Sequence, residues 1–425
     1  MPHNARVLCL DDDSEIAREM ELVDVEPGGV RHMLPKAKHY VIKLQGVRRP
    51  IVHILKEAFL ANGGDAAVGR DVITAKAAES DVLLMGTRKQ FDRVIAALLE
   101  QGFGCKELSV EIEDAISHFE TTAELPGPGP RIDPKISAMF GAIGHKTLVM
   151  GVLNVTPDSF SDGGLFSNPD SAIRHAISMV EAGADLIDIG GESSRPGAAP
   201  VPVDEEIRRV VPIIEAIAGR IDVPISVDTY KAPVAQAALD AGALIVNDIS
   251  SATLDPAMPH LIAARRCPAI LMHMRGTPRD MQTNTDYEDL MGEISGFLRA
   301  RVRAIAEAGV DKRMLIIDPG IGFAKTVEQN LEILRRLREL KSIGRPILVG
   351  TSRKSTIGKV LGNLPPEERL EGTAATVAIA IANGADIVRV HDVKEMARTA
   401  RMADAIVRGR QGEEQHPSTL ENLEG

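Results

Sequence analysis

The chain has 425 residues, more than a single hydrophobic core usually organises, so two domains are expected. Hydrophobic residues make up 44% and charged residues 26%, as in ordinary soluble globular proteins. A net charge of −11, with no Trp and three Tyr, argues against a nucleic-acid partner and against binding to an anionic membrane. No secretory leader and no apolar run of about 18 residues is apparent, so the cytoplasm is the expected compartment. The three cysteines are far apart in sequence, which is typical of isolated reduced thiols.

Residues 1–124 are predicted to form a small α/β domain. Alternating apolar residues predict strands at 6–10, 39–44, 72–75 and 81–85, and amphipathic patterns predict helices at 49–62 and 89–101. The opening segment resembles the first strand and acidic pair of a response-regulator receiver domain. A receiver also needs a later strand that ends in a phosphorylatable Asp, and the candidate strand here ends in Met85 and Gly86. We therefore interpret the acidic residues as a turn, and the sequence assigns this domain no function.

Residues 125–145 are predicted to be a linker and lead-in to the second domain. The run Leu-Pro-Gly-Pro-Gly-Pro at 125–130 can continue neither a helix nor a sheet ladder. At the other end of the chain, residues 409–425 are polar and are expected to form a frayed tail.

Residues 146–408 are predicted to form a (β/α)8 TIM barrel. Apolar, β-branched runs alternate eight times with helical patterns, and the strands are expected at 147–154, 185–191, 224–229, 244–249, 268–274, 314–320, 346–352 and 386–392. Helices are expected between them at 172–182, 203–218, 232–241, 287–308, 327–340 and 366–383, with a last helix at 394–408. Strands that are apolar on both faces belong in a parallel sheet covered by helices. Eight such units fit a barrel better than an open doubly wound sheet.

Polar residues stand at the end of every predicted barrel strand, where barrels of this kind place their active sites. They are Asn154, the Gly190–Gly197 segment, Asp228, Asn247 with Asp248, His273 with Arg275, Asp318, the Ser352–Ser355 segment, and Arg389 with His391. Any one of them could be a local hydrogen-bonded cap. Their convergence from eight strands favours a small-molecule site.

The residue types at these strand ends indicate the chemistry of the ligand. Asp228, Asn247 and Asp318 suit a planar heterocycle with N–H donors, because a carboxylate accepts two such donors side by side. Three cationic candidates, Lys354, Arg389 and His391, suit an anionic tail, together with an arginine of the second loop, Arg195. A Schiff-base role for Lys354 is the alternative, and its basic Ser-Arg-Lys-Ser turn disfavours that role.

Asn154 offers a neutral oxygen, which suits Mg²⁺ held mainly by water and phosphate oxygens; a loop cap is the other interpretation. The loops after strands 1 and 2 are rich in Gly, Ser and Pro, so they are either lids over the site or floppy connections. Two segments that look like phosphate loops, 144–147 and 320–326, lack the required spacing.

Residues 146–405 resemble dihydropteroate synthases of the folate pathway. Eight motifs match in order, each closing its own strand: Gly-Val-Leu-Asn-Val-Thr-Pro-Asp-Ser-Phe at 151–160, Gly-Gly-Glu-Ser-Ser-Arg-Pro-Gly at 190–197, Ser-Val-Asp-Thr at 226–229, Val-Asn-Asp at 246–248, Met-His-Met-Arg-Gly at 272–276, Asp-Pro-Gly-Ile-Gly-Phe at 318–323, Ser-Arg-Lys-Ser at 352–355 and Arg-Val-His-Asp at 389–392.

The resemblance implies that 4-aminobenzoate displaces diphosphate from 6-hydroxymethyl-7,8-dihydropterin diphosphate, giving 7,8-dihydropteroate. It implies Mg²⁺ as the cofactor, a homodimer and a sulfonamide target. By the same resemblance, the pterin is held by Asp228, Asn247, Asp318, Lys354 and Arg389; the diphosphate by Arg389, His391 and Asn154, the last with Mg²⁺; and the aminobenzoate pocket is shaped by Phe160, Ser194, Arg195, Pro196 and Ser355. No bifunctional folate enzyme is expected, because the N-terminal domain shows no pyrophosphokinase or aldolase signature.

One position departs from the family pattern. The second loop of the family usually reads Glu-Ser-Thr-Arg, whereas this chain has Ser194 in place of the threonine. The missing methyl group is worth about 1 kcal/mol of contact with the aminobenzoate ring. We expect an altered affinity for aminobenzoate or sulfonamides and retained activity.

Two other functions use the same fold and pterin clamp. A pterin-dependent methyltransferase that serves a corrinoid protein would need neither the Ser-Arg-Lys-Ser turn nor the Arg-Val-His segment, and both are present. A non-catalytic pterin-binding paralogue would bind its ligand without turnover, and the intact diphosphate ligands argue against it.

Overall fold

The computed structural model describes residues 3–10, 12–121, 123–127, 132–155, 169–193, 199–277 and 281–409. The side chains of residues 169 and 282 are outside this description. Contacts within the chain divide it into two compact units, residues 1–117 and 118–425.

The first unit is built on a three-stranded antiparallel sheet in the order β1-β3-β2, with β1 at His39–Arg48, β2 at Asp65–Val68 and β3 at Glu79–Thr87. Its helices are α1 (Asp13–Leu22), α2 (Pro27–Ala37), α3 (Arg49–Ala61), α4 (Arg70–Ile73), α5 (Arg88–Leu99) and α6 (Cys105–Glu120), the last running past the boundary between the units. The rings of Phe59 and Phe91 meet edge to face, 5.0 Å apart, within its core. The prediction of a small α/β fold here is confirmed.

The predictions of two strands in this unit, at residues 6–10 and 72–75, are wrong. Residues 6–10 form no strand, and Val7 is 92% exposed, because its β-forming sequence has no neighbouring strand to complete a ladder. Residues 72–75 fall at the end of α4, where Ala75 has a φ of +60°. The amides of residues 76 and 77 donate to the carbonyl of Asp71, so a local turn overrides the strand propensity of Val-Ile-Thr.

The second unit is an eight-stranded parallel barrel, as predicted. Its strands are β4 (Leu148–Asn154), β5 (Leu186–Gly190), β6 (Ile225–Asp228), β7 (Ile245–Asp248), β8 (Ala269–Met272), β9 (Leu315–Asp318), β10 (Leu348–Val349) and β11 (Ile387–Val390). The strands β4 to β9 pair in chain order, from β4 with β5 to β8 with β9, and β11 pairs with both β10 and β4. A parallel bridge between Ile317 and Ile347 joins β9 to the start of β10 and closes the barrel.

Helices surround the barrel strands. They are α8 (Pro169–Glu181), α9 (Val203–Ala218), α10 (Ala232–Asp240), α11 (Met258–Arg265), α12 (Leu290–Glu307), α13 (Val327–Arg336), α14 (Ser355–Val360), α15 (Leu370–Ala382) and α16 (Val393–Val407). Single 3-10 turns lie at Met281–Thr283, Lys312–Met314 and Pro366–Glu368, and a longer 3-10 segment spans Leu337–Ile343. Because helices cover the strands, residues such as all four of β8 are buried, which explains their nearly uniform apolar character.

One further helix, α7 (Pro134–Ala142), plugs the N-terminal end of the barrel. Asp133 caps it by accepting from the amide of Lys135, and a proline occupies its first turn. The buried Met139 and Phe140 pack in one cluster with the first residues of the strands, among them Leu148 and Leu186. With this end filled by apolar side chains, polar groups gather at the opposite, C-terminal end.

Candidate functional site

Four consecutive strands end at the same level of the barrel. Asn154 is paired in register with Gly190, Gly190 with Asp228, and Asp228 with Asn247. Since Gly190 has no side chain, Asn154 and Asp228 face each other across it; a Cβ there would lie 3.7 Å from Asn154 Oδ1. Register alone therefore brings an amide, a carboxylate and a second amide to one rim.

A buried carboxylate that the sequence analysis did not single out, Asp188, organises this rim. It is fully buried within β5 and accepts hydrogen bonds from Ser226 Oγ, from Asn247 Nδ2 at 3.0 Å and from Arg389 Nε at 2.7 Å. Arg389 Nη2 then donates to Asp228 Oδ2 at 2.8 Å. The carboxylate on β5 thus joins residues from three other strands, β6, β7 and β11. Its signal in the sequence is an Asp inside the apolar run Leu-Ile-Asp-Ile.

The electrostatics of the rim follow from burial. Burial raises the pKa of Asp228 to about 7, although the guanidinium of Arg389 opposes the shift. Burial also raises the pKa of Asp318, opposed by the Gly320 amide and by Lys354. Burial lowers the pKa of Lys354 to about 8. Carboxylates and cations alternate in a poorly solvated space, which strengthens each interaction with a polar ligand.

Lys354 and Asp318 are positioned by the turn that follows β9. Asp318 accepts from the amide of Gly320 at 2.7 Å, and the ammonium of Lys354 lies 4.3 Å from the ring centroid of Phe323. Gly320 has a φ of +70°, and a Cβ on it would collide with the carbonyl oxygen of His273 at 2.1 Å. A Cβ on Gly322, whose φ is +82°, would press on the Lys354 side chain at 3.1 Å. Glycine is therefore required at both positions for this close approach.

His391 lies at the end of β11, with Nδ1 3.1 Å from Ser352 Oγ. Burial, together with the nearby Arg389 and Arg353, lowers its pKa to about 3. Its imidazole is therefore neutral, whereas the sequence analysis treats it as a cation. Ser355 begins α14 next to Lys354 with an exposed side chain. The other predicted pocket residues, Phe160, Ser194, Arg195 and Pro196, lie outside the described residues.

A second ionic cluster, also missed by sequence reasoning, stands beside Asp228. Lys231 Nζ lies 2.5 Å from Glu192 Oε2 and 2.6 Å from Glu206 Oε2, and it donates to the carbonyl of Val201 at 2.6 Å. Tyr230 donates to the other oxygen of Glu192 at 2.9 Å. Lys231 therefore joins the two described ends of the loop that follows β5.

One neutral oxygen at the rim is a candidate metal ligand. Across the described ranges, no three His, Cys, Asp or Glu side chains come together as a metal site. Asn154 is exposed at the rim and presents a neutral oxygen. Separately, none of the helices within those ranges combines the length and the hydropathy that a membrane span requires.

Known proteins with similar sequences and structures indicate the family of this chain. The sequence profile of the family described as "Pterin binding enzyme" matches residues 150–391. A dihydropteroate synthase from Synechocystis sp. is 55% identical over 265 residues, which covers 62% of this chain and 92% of that protein. A crystal structure of Yersinia pestis dihydropteroate synthase in a sulfonamide drug complex is 48% identical, with a TM-score of 0.60, and the match covers 62% of this chain and 94% of that one.

A longer match involves the first unit as well. A probable bifunctional folylpolyglutamate synthase/dihydropteroate synthase from Halobacterium salinarum is 39% identical over 403 residues, covering 95% of this chain and 47% of that protein. A match of this length necessarily includes most of residues 1–117. Because the family profile matches more than half of the chain, and a relative covered over 92% of its length is 55% identical, the chain belongs to the pterin binding enzyme family.

Proposed function

We propose that this protein is a dihydropteroate synthase, which joins 4-aminobenzoate to 6-hydroxymethyl-7,8-dihydropterin diphosphate and releases diphosphate. The observation that carries the proposal is the rim of the barrel, where Asp228, Asn247, Asp318, Lys354 and Arg389 converge in a chain 55% identical to a dihydropteroate synthase. A carboxylate, an amide and a cation around one buried space match the donors and acceptors along the edge of a pterin.

Within this proposal, Asp318 accepts paired N–H donors of the pterin, and Asn247 and Asp228 complete the recognition of its polar edge. Asn247 enters with its orientation fixed, because its Nδ2 already donates to Asp188 at 3.0 Å. Lys354 supplies an ammonium held against the ring of Phe323. These groups are buried, so a pterin that satisfies them is favoured strongly over ligands that leave them unpaired.

The reaction needs no side-chain nucleophile. The amine nitrogen of aminobenzoate forms a bond to the methylene carbon of the pterin substrate, while the C–O bond breaks and its electron pair leaves with diphosphate; the amine then loses a proton. The residues of the rim orient the pterin and stabilise the charge that develops on the leaving group. Arg389 is suited to this role, because its Nη1 makes no hydrogen bond to any residue the structure describes. His391 contributes a neutral imidazole beside it.

We further propose Mg²⁺ as the cofactor, with Asn154 as its protein ligand. The oxygen chemistry fits, because Mg²⁺ prefers a few protein oxygens together with water and substrate phosphates, and Asn154 is exposed at the level of the Asp228 rim. When bound, the ion would neutralise charge on the diphosphate.

Replacing Asn154 with alanine is expected to raise the Mg²⁺ concentration needed for half-maximal activity by about 10-fold, the usual cost of losing one ligand or its support. Activity measured across a Mg²⁺ titration tests this, and an unchanged midpoint would remove Asn154 from the metal site. Asn363, which lies in the turn after α14, provides a matched asparagine control.

For the second substrate, we propose that Phe160, Ser194, Arg195 and Pro196, with Ser355, shape the aminobenzoate pocket. Support in the described part of the chain comes from the position of Ser355, next to Lys354 at the start of α14. Lys231 adds support because it links Glu192 and Val201, which precede and follow the segment 194–198.

The pH dependence of kcat/KM for the pterin substrate should carry an alkaline limb set by Lys354. The pKa of this ammonium in the free enzyme is lowered to about 8 by burial, and the cation is the form that binds. We expect kcat/KM to be highest below that value and to fall as the pH rises through it. A profile that stays flat to pH 10, or one that keeps the same limb in Lys354→Arg, would show that another group sets it.

Two alternative functions predict that no dihydropteroate forms from the substrates of the synthase. A corrinoid methyltransferase would bind a methylated tetrahydropterin and pass on its methyl group, and a non-catalytic paralogue would bind dihydropterin diphosphate unchanged. Product analysis by mass spectrometry after incubation with dihydropterin diphosphate and 4-aminobenzoate distinguishes the synthase from both alternatives. We expect 7,8-dihydropteroate; its absence in the presence of bound pterin would favour the paralogue.

We also propose that the protein is a cytoplasmic homodimer that assembles through the outer helices of the barrel. Support comes from exposed apolar side chains on these helices, such as Ile379 on α15 and Met402 and Ile406 on α16, which are 52%, 63% and 72% exposed. Burying this face against a second copy would remove apolar area from water. We expect light scattering to give a molar mass of twice the monomer mass of 45.6 kDa.

A further inference from the structure

Lys325 is a buried lysine in the turn between β9 and α13. Its side chain is 3% exposed, and its Nζ donates to the carbonyl oxygens of Phe323 at 2.9 Å and Gly320 at 3.1 Å. The ammonium also lies 3.0 Å from Nδ1 of His273 and 3.4 Å from its carbonyl oxygen. A single side chain thus joins both sides of its own turn to the end of the neighbouring strand β8.

The hydrogen bonds that the structure describes for this buried ammonium are unusual because none of them pairs it with a charged acceptor. Among the residues that the structure describes, no carboxylate belongs to its hydrogen-bond partners. Burying a cation among neutral hydrogen-bond acceptors is costly, and burial lowers the pKa of Lys325 to about 7, although the nearby carboxylate of Asp318 opposes the shift. Burial lowers the pKa of His273 to about 2, so its neutral ring accepts from the lysine. An apolar residue would avoid this cost, which indicates a function for the geometry that Lys325 imposes.

The turn that Lys325 closes carries the two ends of the proposed pterin clamp. Gly320, whose carbonyl accepts from Lys325, donates its amide to Asp318 Oδ1 at 2.7 Å. Phe323, whose carbonyl also accepts from Lys325, presents the ring on which Lys354 rests. The ammonium therefore contacts the two residues of the turn that hold the Asp318 carboxylate and support Lys354.

The third partner fixes the turn relative to the barrel. The His273 amide donates to the Asp318 carbonyl at 2.9 Å, so His273 and Asp318 are already joined through their backbones. The His273 ring is itself held by an edge-to-face contact with Phe297, with centroids 5.0 Å apart. Lys325 thus rests against a rigid neighbour and transmits its position to the turn.

We propose that Lys325 is a positioning residue for the pterin pocket, acting through the 320–325 turn to hold Asp318 and Lys354 in their binding geometry. Its ammonium is enclosed by the turn carbonyls and His273, so it acts through these groups, and this role rests on the proposed function. Small displacements of binding groups are enough for a large effect, since a shift of about 1 Å can cost about 100-fold.

The test compares Lys325→Met with Arg345→Met in the full chain. Arg345 is also 3% exposed and donates to the Lys312 carbonyl at 2.7 Å, but it lies just before β10, at the opposite end of the barrel from the clamp. Both variants remove a buried cation. We expect Lys325→Met to raise the Kd for 6-hydroxymethylpterin and the KM for dihydropterin diphosphate by at least about 10-fold. The KM for aminobenzoate should stay within about twofold, and Arg345→Met should leave all three values unchanged.

A purely structural lysine would give a different pattern: Lys325→Met would lower the melting temperature as Arg345→Met does, with normal pterin Kd and KM. That result overturns the proposal. If Lys325→Met does not fold, Lys325→Gln decides, because its shorter amide keeps a donor near the turn carbonyls and cannot reach His273. A Kd raised several-fold supports the role, and wild-type values in Lys325→Gln overturn it.

Failure of the proposed function would look different from failure of this inference. If the wild-type protein binds 6-hydroxymethylpterin but releases no diphosphate, the synthase reaction is wrong while the effect of Lys325→Met on binding still stands or falls by itself. If wild-type turnover is normal and both Lys325 variants match it, only the positioning role is wrong.

Discussion

Asp318→Asn is expected to lower kcat/KM for dihydropterin diphosphate by about 1,000-fold, equivalent to about 4 kcal/mol of lost transition-state binding. The carboxylate is buried and accepts the Gly320 amide through one oxygen, which orients the group toward the ligand. An asparagine keeps one acceptor but presents an NH₂ donor to pterin N–H groups, so a charge-assisted pair of bonds is replaced by a repulsive contact. Lys354→Ala should be comparably damaging, because it removes the cation held over Phe323.

The control for Asp318→Asn is Asp311→Asn. Asp311 caps the 3-10 turn before β9 and pairs with Arg313 at 2.7 Å, on the far side of the barrel from the rim. Steady-state kinetics should show near-wild-type values for this variant. Near-normal turnover in Asp318→Asn or in Lys354→Ala would refute the assignment of that residue to the pterin pocket.

Asp188→Asn is expected to reduce both stability and activity. Asp188 is fully buried and accepts from Ser226, Asn247 and Arg389, so the neutral amide leaves the guanidinium with one carboxylate partner in place of two. Removing one member of a buried ion-pair network typically costs about 3–5 kcal/mol of unfolding free energy. Because Asn247 and Arg389 lose their fixed orientation, pterin affinity should fall by about 100-fold or more.

Urea denaturation and pterin binding measured on the same samples test this expectation. Asp185→Asn is the matched control, since Asp185 precedes β5 and pairs with Lys146 at the opposite end of the barrel. It should lose at most about 1 kcal/mol of stability and keep its pterin affinity. If Asp188→Asn binds pterin as well as Asp185→Asn does, Asp188 has no part in organising the rim.

The barrel and the position of its candidate site could be predicted from the sequence for a physical reason. Strands buried on both faces leave long apolar runs, and the polar residues at the ends of those runs could only point into a shared rim. The register that aligns Asn154, Asp228 and Asn247 is a consequence of that parallel pairing. The prediction therefore extended from the fold to the candidate binding residues without three-dimensional information.

Residues whose roles depend on contacts between distant parts of the chain could not be predicted from the sequence. Asp188 lies two positions before the strand end, and only the barrel shows that its carboxylate meets Arg389 from β11. The prediction of a positive charge on His391 is wrong because its burial and its two neighbouring arginines, which lower its pKa, could not be predicted from the sequence. Lys325 was noticed only as part of a failed phosphate-loop pattern, because its partners are backbone carbonyls and a histidine from another strand.

The first unit was harder to predict for similar reasons. Its strand β2 has the sequence Asp-Ala-Ala-Val, which has little intrinsic β propensity and is strand only because it pairs with β3. The reverse holds for residues 6–10, whose apolar sequence finds no partner. Short elements in a small unit depend on pairing more than on composition, so a local pattern predicts them poorly.

We propose that the rim of this barrel transfers a pterin from diphosphate to aminobenzoate. Diphosphate release from 6-hydroxymethyl-7,8-dihydropterin diphosphate, followed in real time with Mg²⁺ and with or without 4-aminobenzoate, tests it most directly. We predict release that depends on aminobenzoate, matches dihydropteroate formation one to one and is lost in Asp318→Asn. Pterin binding without any aminobenzoate-dependent release in the wild-type protein would contradict the claim.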